Sequence, residues 1–438
     1  MTLVSRAVTR PSQAAWLLAA FALPGWSWAL DPLAKGPWLM DLRTDSVVVL
    51  AERRLPGRLE VRAVPQGPGG DLADGAVTAR AGVDVTLHEL TLNGLRPGTR
   101  YRYEVTGPDV VAARGTFGTA PTEPVPFRFV IYGDTRSQAR PHAAAVDAIV
   151  REAPEFVVHT GDLVEDGRDD GDWQRFFDIE APLLRVTPFV PVIGNHEIAV
   201  PLSNGTDNYR RFVHVAPGGP SDELNSVLRY ANARFVLANA YEDWSGPARD
   251  WIDRELSRAR REGPREWLFV VMHWGPRSSG PHGDNELVAQ AGVDAILRRH
   301  RVDLVISGHD HAYERGDDGG LRFIVSGGAG APLYRRQERR PMTRSFASEH
   351  HYVRVDVERD QVNIAALRPD GTTIDRAILR HEGWTDGAPA APERPGPATA
   401  PPPPEAPETP EDWSWVWKAI PAIAGVGAGA WWLRRRSQ

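Results

Sequence analysis

The sequence predicts a small all-β domain followed by a larger α/β domain, and three observations carry that reading. Up to residue 121, short alternating or β-branched runs are separated by Gly/Pro turns. From Phe127 onward, continuous apolar runs of strand length alternate with helical spacing, as in α/β proteins. A chain of 438 residues, 42% hydrophobic, can bury the two or three cores this implies.

Arg6 and Arg10 precede an apolar run at 14–23, and Pro24, Gly25, Ser27 and Ala29 follow it. That order matches a secretory signal peptide over 1–29, cleaved after Ala29; an uncleaved N-terminal anchor is the alternative, although the run is short for a bilayer. Residues 30–121 form the all-β domain, with strands expected at 46–50, 59–64, 83–92 and 101–105 and turns at Pro56-Gly57 and Pro97-Gly98. The segment from Leu95 through Arg96, Pro97, Gly98 and Tyr101 to Tyr103 is similar to the strand entry of a fibronectin type III domain, where an aromatic closes a sandwich corner; a generic hairpin is the other reading. Ala120-Pro121-Thr122-Glu123-Pro124 reads as a linker.

The α/β domain is expected over 126–382. Apolar runs at 127–132, 156–160, 189–193, 268–272 and 303–307 lack alternation, which suits strands covered on both faces. Val146, Ile149 and Val150 predict a helix over 144–152, after a break at Pro141. Runs at 352–357 and 362–367, joined across Arg359-Asp360, predict a closing hairpin. Residues 383–412 are rich in Pro, Ala and Glu and read as an extended spacer. Residues 413–438 predict a C-terminal transmembrane anchor. The apolar run starts at Trp413, Trp415 and Trp417, ends at Trp431 and Trp432, and is followed by Arg434, Arg435 and Arg436. Lys418 lies near one end and can snorkel; an interfacial helix or a processed tail are the alternatives. The two ends together predict export across a bacterial inner membrane and a tethered periplasmic or cell-surface location.

A net charge of −6 argues against a nucleic-acid-binding surface, which would be basic. The chain has no cysteine, so disulfides and thiolate metal ligation are excluded. The chemistry lies instead where the apolar runs end: Asp134 in Gly133-Asp134-Thr135-Arg136, Asp162 after Gly161, Asn195-His196-Glu197 after Gly194, His273 after Met272, and His309 and His311 in Gly308-His309-Asp310-His311. In α/β sheets, ligands collect at the carboxyl ends of strands. These carboxylates, imidazoles and one amide are the oxygen and nitrogen donors that borderline metals prefer. Asp134 and Asp162 are 28 residues apart, one strand–helix–strand unit, so they can emerge on neighbouring strands. Clustered carboxylates are tolerable only beside cations. His159, just before Thr160-Gly161-Asp162, is placed beside this set, while isolated His300 and His350 read as structural.

This ordered series resembles the calcineurin-like metallophosphoesterases, and Gly308-His309-Asp310-His311-Ala312-Tyr313-Glu314-Arg315 is most similar to the purple acid phosphatase branch. The resemblance implies a four-layer αββα sandwich preceded by a small β-sandwich, and phosphomonoester hydrolysis at a two-metal centre of Fe, Zn or Mn. Asp162 would bridge both ions; Asp134 and His311 would complete one site, and Asn195, His273 and His309 the other. Two ions about 4 Å apart would clamp the phosphoryl group and generate a bridging hydroxide. His196 resembles the histidine that orients substrate or protonates the leaving oxygen, and His282 lies in a loop similar to one that places a phosphate-facing histidine.

Two departures stand out. Purple acid phosphatases carry a tyrosine three residues after the bridging aspartate, where this chain has Glu165. The tyrosine-to-iron colour is therefore expected to be missing, and Glu165, a water or a labile site would fill the gap. Arg136 stands two residues after the first aspartate, where other members place a ligating histidine. Its guanidinium cannot ligate a cation but can bind phosphate. The expected partners are a phosphate-ester substrate and, through the C-terminal helix, a membrane. The competing readings are a phosphodiesterase or nucleotidase with the same site, and a non-catalytic cell-surface binding protein on the same scaffold.

Overall fold

The computed structural model describes residues 33–387, except 68–69, 72–73, 199–204, 216–217 and 222–223. Among the described residues no helix is long and apolar enough to cross a membrane. The expected signal peptide, the anchor at 413–438 and the spacer from 388 onward lie outside them.

The first part is an all-β sandwich. Lys35–Met40, Ser46–Gly57 and Val85–Asn93 form one antiparallel sheet; Glu60–Gly67 and Arg100–Thr106 centre the other. Tyr101, Tyr103 and Val105 alternate inward along their strand and meet Val47, Val49, Val61 and Phe117. The hydroxyl of buried Tyr101 accepts a hydrogen bond from the Arg96 backbone N–H at 2.8 Å, which ties the preceding turn back to the strand as a tyrosine corner does. Ser46–Gly57 opens with residues buried on both faces. Val47 and Val49 point into the sandwich, whereas Val48 and Leu50 join Trp38, Trp173 and Phe177 in a second core shared with the α/β part. The Trp38 indole N–H donates to the Phe212 carbonyl at 3.0 Å across that contact.

The α/β part is built on two seven-stranded sheets. One has the parallel strands Phe189–Pro191, Phe156–His159 and Phe127–Tyr132, continued antiparallel by Tyr352–Val357, Val362–Leu367, Thr373–Arg380 and Gly383–Asp386. The other has Ala233–Leu237, Trp267–Val271, Leu304–Ser307 and Leu321–Ser326 in parallel at its centre. Strand parity sorts the side chains into layers. Phe129, Ile131, Val158, Phe235, Phe269, Ile306 and Val355 fill the space between the sheets. Val130, Tyr132 and Val157 face the helices Ala139–Glu152 and Asp170–Leu184, and Val236, Val270 and Val305 face Pro247–Glu262 and Val293–Arg299. Both faces of each sheet are thus covered, which gives the four-layer αββα sandwich and accounts for the unbroken apolar runs. Each such buried side chain contributes roughly 1.5–3 kcal/mol.

Two boundaries differ from expectation. The helix expected from 144 starts at Ala139, with Pro141 inside its first turn. The N–H groups there have no intrahelical acceptor, so a proline removes nothing. Beyond position 382, Gly383–Asp386 adds an edge strand, and Asp386 accepts from buried Arg315 at 2.8 Å.

One buried histidine makes the fold acid-sensitive. His351 is fully buried, its Nδ1–H donating to the Glu349 carbonyl at 2.8 Å and its Nε2 paired with Ser326 Oγ at 3.1 Å. Burial pushes its pKa down from 6.5 to about 4. The unfolded chain therefore takes up this proton first as pH falls. The neutral ring contributes about 3 kcal/mol above pH 6.5, and this is lost on descending toward pH 4. Chemical denaturation across that interval should show this slope, flattened in His351→Gln; an unchanged slope in the variant would discount the assignment.

Candidate metal centre

Six of the expected ligands stand just beyond the carboxyl ends of parallel strands. Asp134 follows Phe127–Tyr132, Asp162 follows Phe156–His159, Asn195 follows Phe189–Pro191, His273 follows Trp267–Val271, and His309 and His311 follow Leu304–Ser307. Asp134, Asp162 and His309 adopt left-handed backbone conformations, with φ of 53°, 54° and 68°. L-residues are uncommon there, and such strain gathers at functional sites. The motif glycines permit the close approach of these loops. A Cβ on Gly194 would collide with Asp162 Oδ1, and one on Gly161 (φ 98°) would lie 2.5 Å from the His273 ring.

Asp162, Asn195, His273 and His309 form a compact cage. His273 Nε2 lies 3.2 Å from Asn195 Oδ1, 3.3 Å from Asp162 Oδ1 and 3.2 Å from His309 Nδ1. A tetrahedral ion with bonds of roughly 2.0–2.1 Å separates its ligands by about 3.3–3.4 Å, so this cage is of ion-binding size. Its donors are aimed from behind. His273 Nδ1–H donates to the Thr160 carbonyl at 2.7 Å, leaving Nε2 for the cage, and the Tyr241 hydroxyl donates to Asn195 Oδ1 at 3.0 Å. Burial opposes charge on His273, but Asp162 and Asp134 outweigh it and push its pKa to about 9. Burial and the neighbouring His282 and His273 hold His309, in the same cage, well below the ordinary value.

A second cluster shares Asp162. Asp134, Asp162 and His311 place one donor atom each within 4.8 Å of one another, as do Asp162, His273 and His309. His311 Nδ1–H donates to the Pro332 carbonyl at 2.7 Å, turning Nε2 to within 3.5 Å of Asp134 Oδ1. That oxygen is fully buried and has no hydrogen-bond partner. A bare buried carboxylate oxygen is costly unless a cation faces it. The donor set and this orphaned atom fit metal binding.

Arg136 and Glu165 pair with one another. Glu165 belongs to neither cluster: its carboxylate accepts from Arg136 Nη1 at 3.2 Å and from the Ser137 hydroxyl. The Arg136 side chain is largely covered, with Nε 3.3 Å from Asp162 Oδ2 and Nη2 3.2 Å from His311 Nε2. Each of its three nitrogens thus has a neighbour, and Nη2, with one N–H on His311, keeps a second N–H for a phosphate oxygen.

Two further imidazoles flank the clusters. His196 Nδ1 is 2.5 Å from the Glu165 carbonyl, and its Nε2 lies 3.8 Å from Asp162 Oδ2. Burial and the nearby Arg136 hold its pKa below the ordinary value. His282 Nδ1 is 2.9 Å from Asp310 Oδ1, and its ring lies 4.0 Å from that of His309. His159 sits beneath the loops, accepting from the Gly161 N–H at Nδ1 (3.2 Å) and meeting Thr135 Oγ1 at Nε2 (3.1 Å).

Sequence reasoning missed several supports. Glu197, fully buried, accepts from the backbone N–H groups of Asp162, Leu163, Val164 and Gly194 at 2.8–3.2 Å. Burial and the neighbouring Asp162 push its pKa up to about 7. Its place beside Asn195 and His196 was a signal, as was that of Asp310 between His309 and His311. Tyr241 and Tyr334, which stacks on His311 at 4.0 Å, belong to no motif.

Two sheets in four layers thus carry both donor clusters at their strand ends. Residues 127–313 match the family model for calcineurin-like phosphoesterases. The chain is also similar to purple acid phosphatases. It is 27% identical over 282 residues to purple acid phosphatase 23 of Arabidopsis thaliana, covering 56% of this chain and 60% of that protein. It is 29% identical over 279 residues to an uncharacterized Mycobacterium tuberculosis protein, covering 54% of this chain and 52% of that one. The chain thus spans a little over half the length of these relatives. In fold, it matches a purple acid phosphatase from yellow lupin (Lupinus luteus) seeds with a TM-score of 0.66 at 18% identity, covering 78% of this chain and 74% of the other.

Proposed function

We propose that the chain is a metal-dependent phosphomonoesterase with a two-ion centre. Asp162 would be the bridging ligand, Asp134 and His311 would complete one site, and Asn195, His273 and His309 the other. The observation that carries this reading is the pair of donor clusters sharing Asp162, with the buried Asp134 Oδ1 left without a partner. When bound, the ions would polarise the phosphoryl group and lower the pKa of an attacking water.

The chain's own residues orient the substrate. His196 and His282 each tie Nδ1 to an oxygen of the chain, so Nε2 is the ring position left for a phosphoryl or leaving-group oxygen. His196 Nε2 is the atom through which a proton reaches the leaving oxygen, a role contributing about 10²–10⁴ in rate. Asp310 fixes the orientation of His282. The reading extends to export and membrane tethering, on the sequence features of residues 1–29 and 413–438.

The full chain, stripped with a chelator and resupplied with Mn²⁺ or Zn²⁺, should hydrolyse phosphomonoesters in a panel of phosphoesters. Without a tyrosine at 165, it should show no visible charge-transfer band. Faster hydrolysis of diesters than monoesters would favour the phosphodiesterase alternative. Metal binding without hydrolysis of any ester would favour a binding scaffold.

A further inference from the structure

We propose that Arg136 is the resident cation of the Asp134–Asp162–His311 cluster, so that metal enters there only by displacing it. The chain then holds one ion tightly, in the Asn195–His273–His309–Asp162 cage, and a second one weakly. This inference rests on the metal-dependent reading above and concerns how the two clusters differ.

The bridging carboxylate is divided between two kinds of cation site. Asp162 Oδ1 faces His273 Nε2 at 3.3 Å, inside the cage, whereas Oδ2 faces Arg136 Nε at 3.3 Å. Arg136 Nη2 covers His311 Nε2, the only imidazole donor of its cluster, at 3.2 Å. Two of the three donor atoms that an ion would need there are therefore already met by one guanidinium. That guanidinium is anchored by Glu165, itself held by Ser137. Its side chain is only 8% exposed, so water screens little of its charge. Among the described residues, no guanidinium or ammonium group is paired with Asn195, His273 or His309.

A guanidinium cannot be deprotonated or ligate a metal, so a dication beside it faces a fixed like charge. Yet Arg136 leaves Asp134 Oδ1 unpartnered, so the cluster remains incompletely neutralised and an ion can still compete for it. The two clusters therefore differ in affinity while sharing a ligand.

The test is equilibrium binding of Mn²⁺ alone to the chelator-stripped full chain, with metal content counted after gel filtration. The wild type should retain one ion per chain, with the second binding at least ~100-fold more weakly. Arg136→Gln removes the charge but keeps a polar side chain, and should bring the second ion to within ~10-fold of the first. Arg136→Lys retains the charge and should leave the second site weak, which separates electrostatics from disturbed packing. Two ions held with equal affinity by the wild type would overturn the proposal. So would weaker second-ion binding in Arg136→Gln than in the wild type, since Arg136 would then be organising ligands. If the wild type retains no ion at all, the metal-dependent reading itself falls, a result distinguishable from the other two.

Discussion

Replacing Asp162 by Asn is expected to abolish metal-dependent hydrolysis while leaving the fold intact. The carboxylate serves both donor clusters and also accepts the His196 backbone N–H at 3.1 Å and Arg136 Nε. The amide keeps the size of the side chain but removes the buried negative charge that draws cations together. Asn is also among the residues best suited to the left-handed conformation, φ 54°, held at this position. Backbone strain should therefore not rise, and thermal unfolding should stay near wild type. A loss on the order of 10³-fold in kcat/KM is expected, as when a preorganised charge-stabilising group is removed from an active site. Wild-type turnover together with normal metal content would refute the bridging assignment.

Glu197→Ala should act on stability and metal affinity together. Its carboxylate receives four buried backbone N–H groups, from Asp162, Leu163, Val164 and Gly194. It thereby clamps the loop that carries Asp162 to the loop that carries Asn195 and His196. Truncation strands those donors, each costing about 1–3 kcal/mol unless water enters, so a loss of about 3 kcal/mol or more is expected. Both loops would then drift, and metal affinity should fall by roughly 10–100-fold, the usual cost of losing a support behind metal ligands. Calorimetric unfolding and metal titration of the variant test this. A wild-type melting temperature with unaltered affinity would show that the clamp is dispensable.

The parts of this architecture that follow local rules were legible in the sequence. Strands buried on both faces declare themselves as unbroken apolar runs, so the positions of Asp134, Asp162, His273, His309 and His311 at strand ends could be read directly. The closing hairpin Tyr352–Val357 and Val362–Leu367 was equally plain. Features set by distant contacts were not legible. Tyr241 reaches Asn195 across 46 positions, and Arg136 meets His311 across 175, with nothing in the sequence to announce either contact. The edge strand Gly383–Asp386 lacks an apolar pattern because half of it is exposed. Pro141 concealed the first turn of its helix because proline there breaks no hydrogen bond.

The strand Ser46–Gly57 gives the molecule a property that its linear layout hides. Alternate side chains of one strand are committed to two different interiors, Val47 and Val49 to the sandwich, Val48 and Leu50 to the helix-covered core beside Trp173. The linker at 120–124 is thus a joint in the chain but not in the solid. Cutting there would strip Trp173 and Phe177 of one wall, and an exchanged sandwich would have to reproduce the outward face of that strand as well as its own fold. In this protein the small domain is masonry rather than a detachable bead.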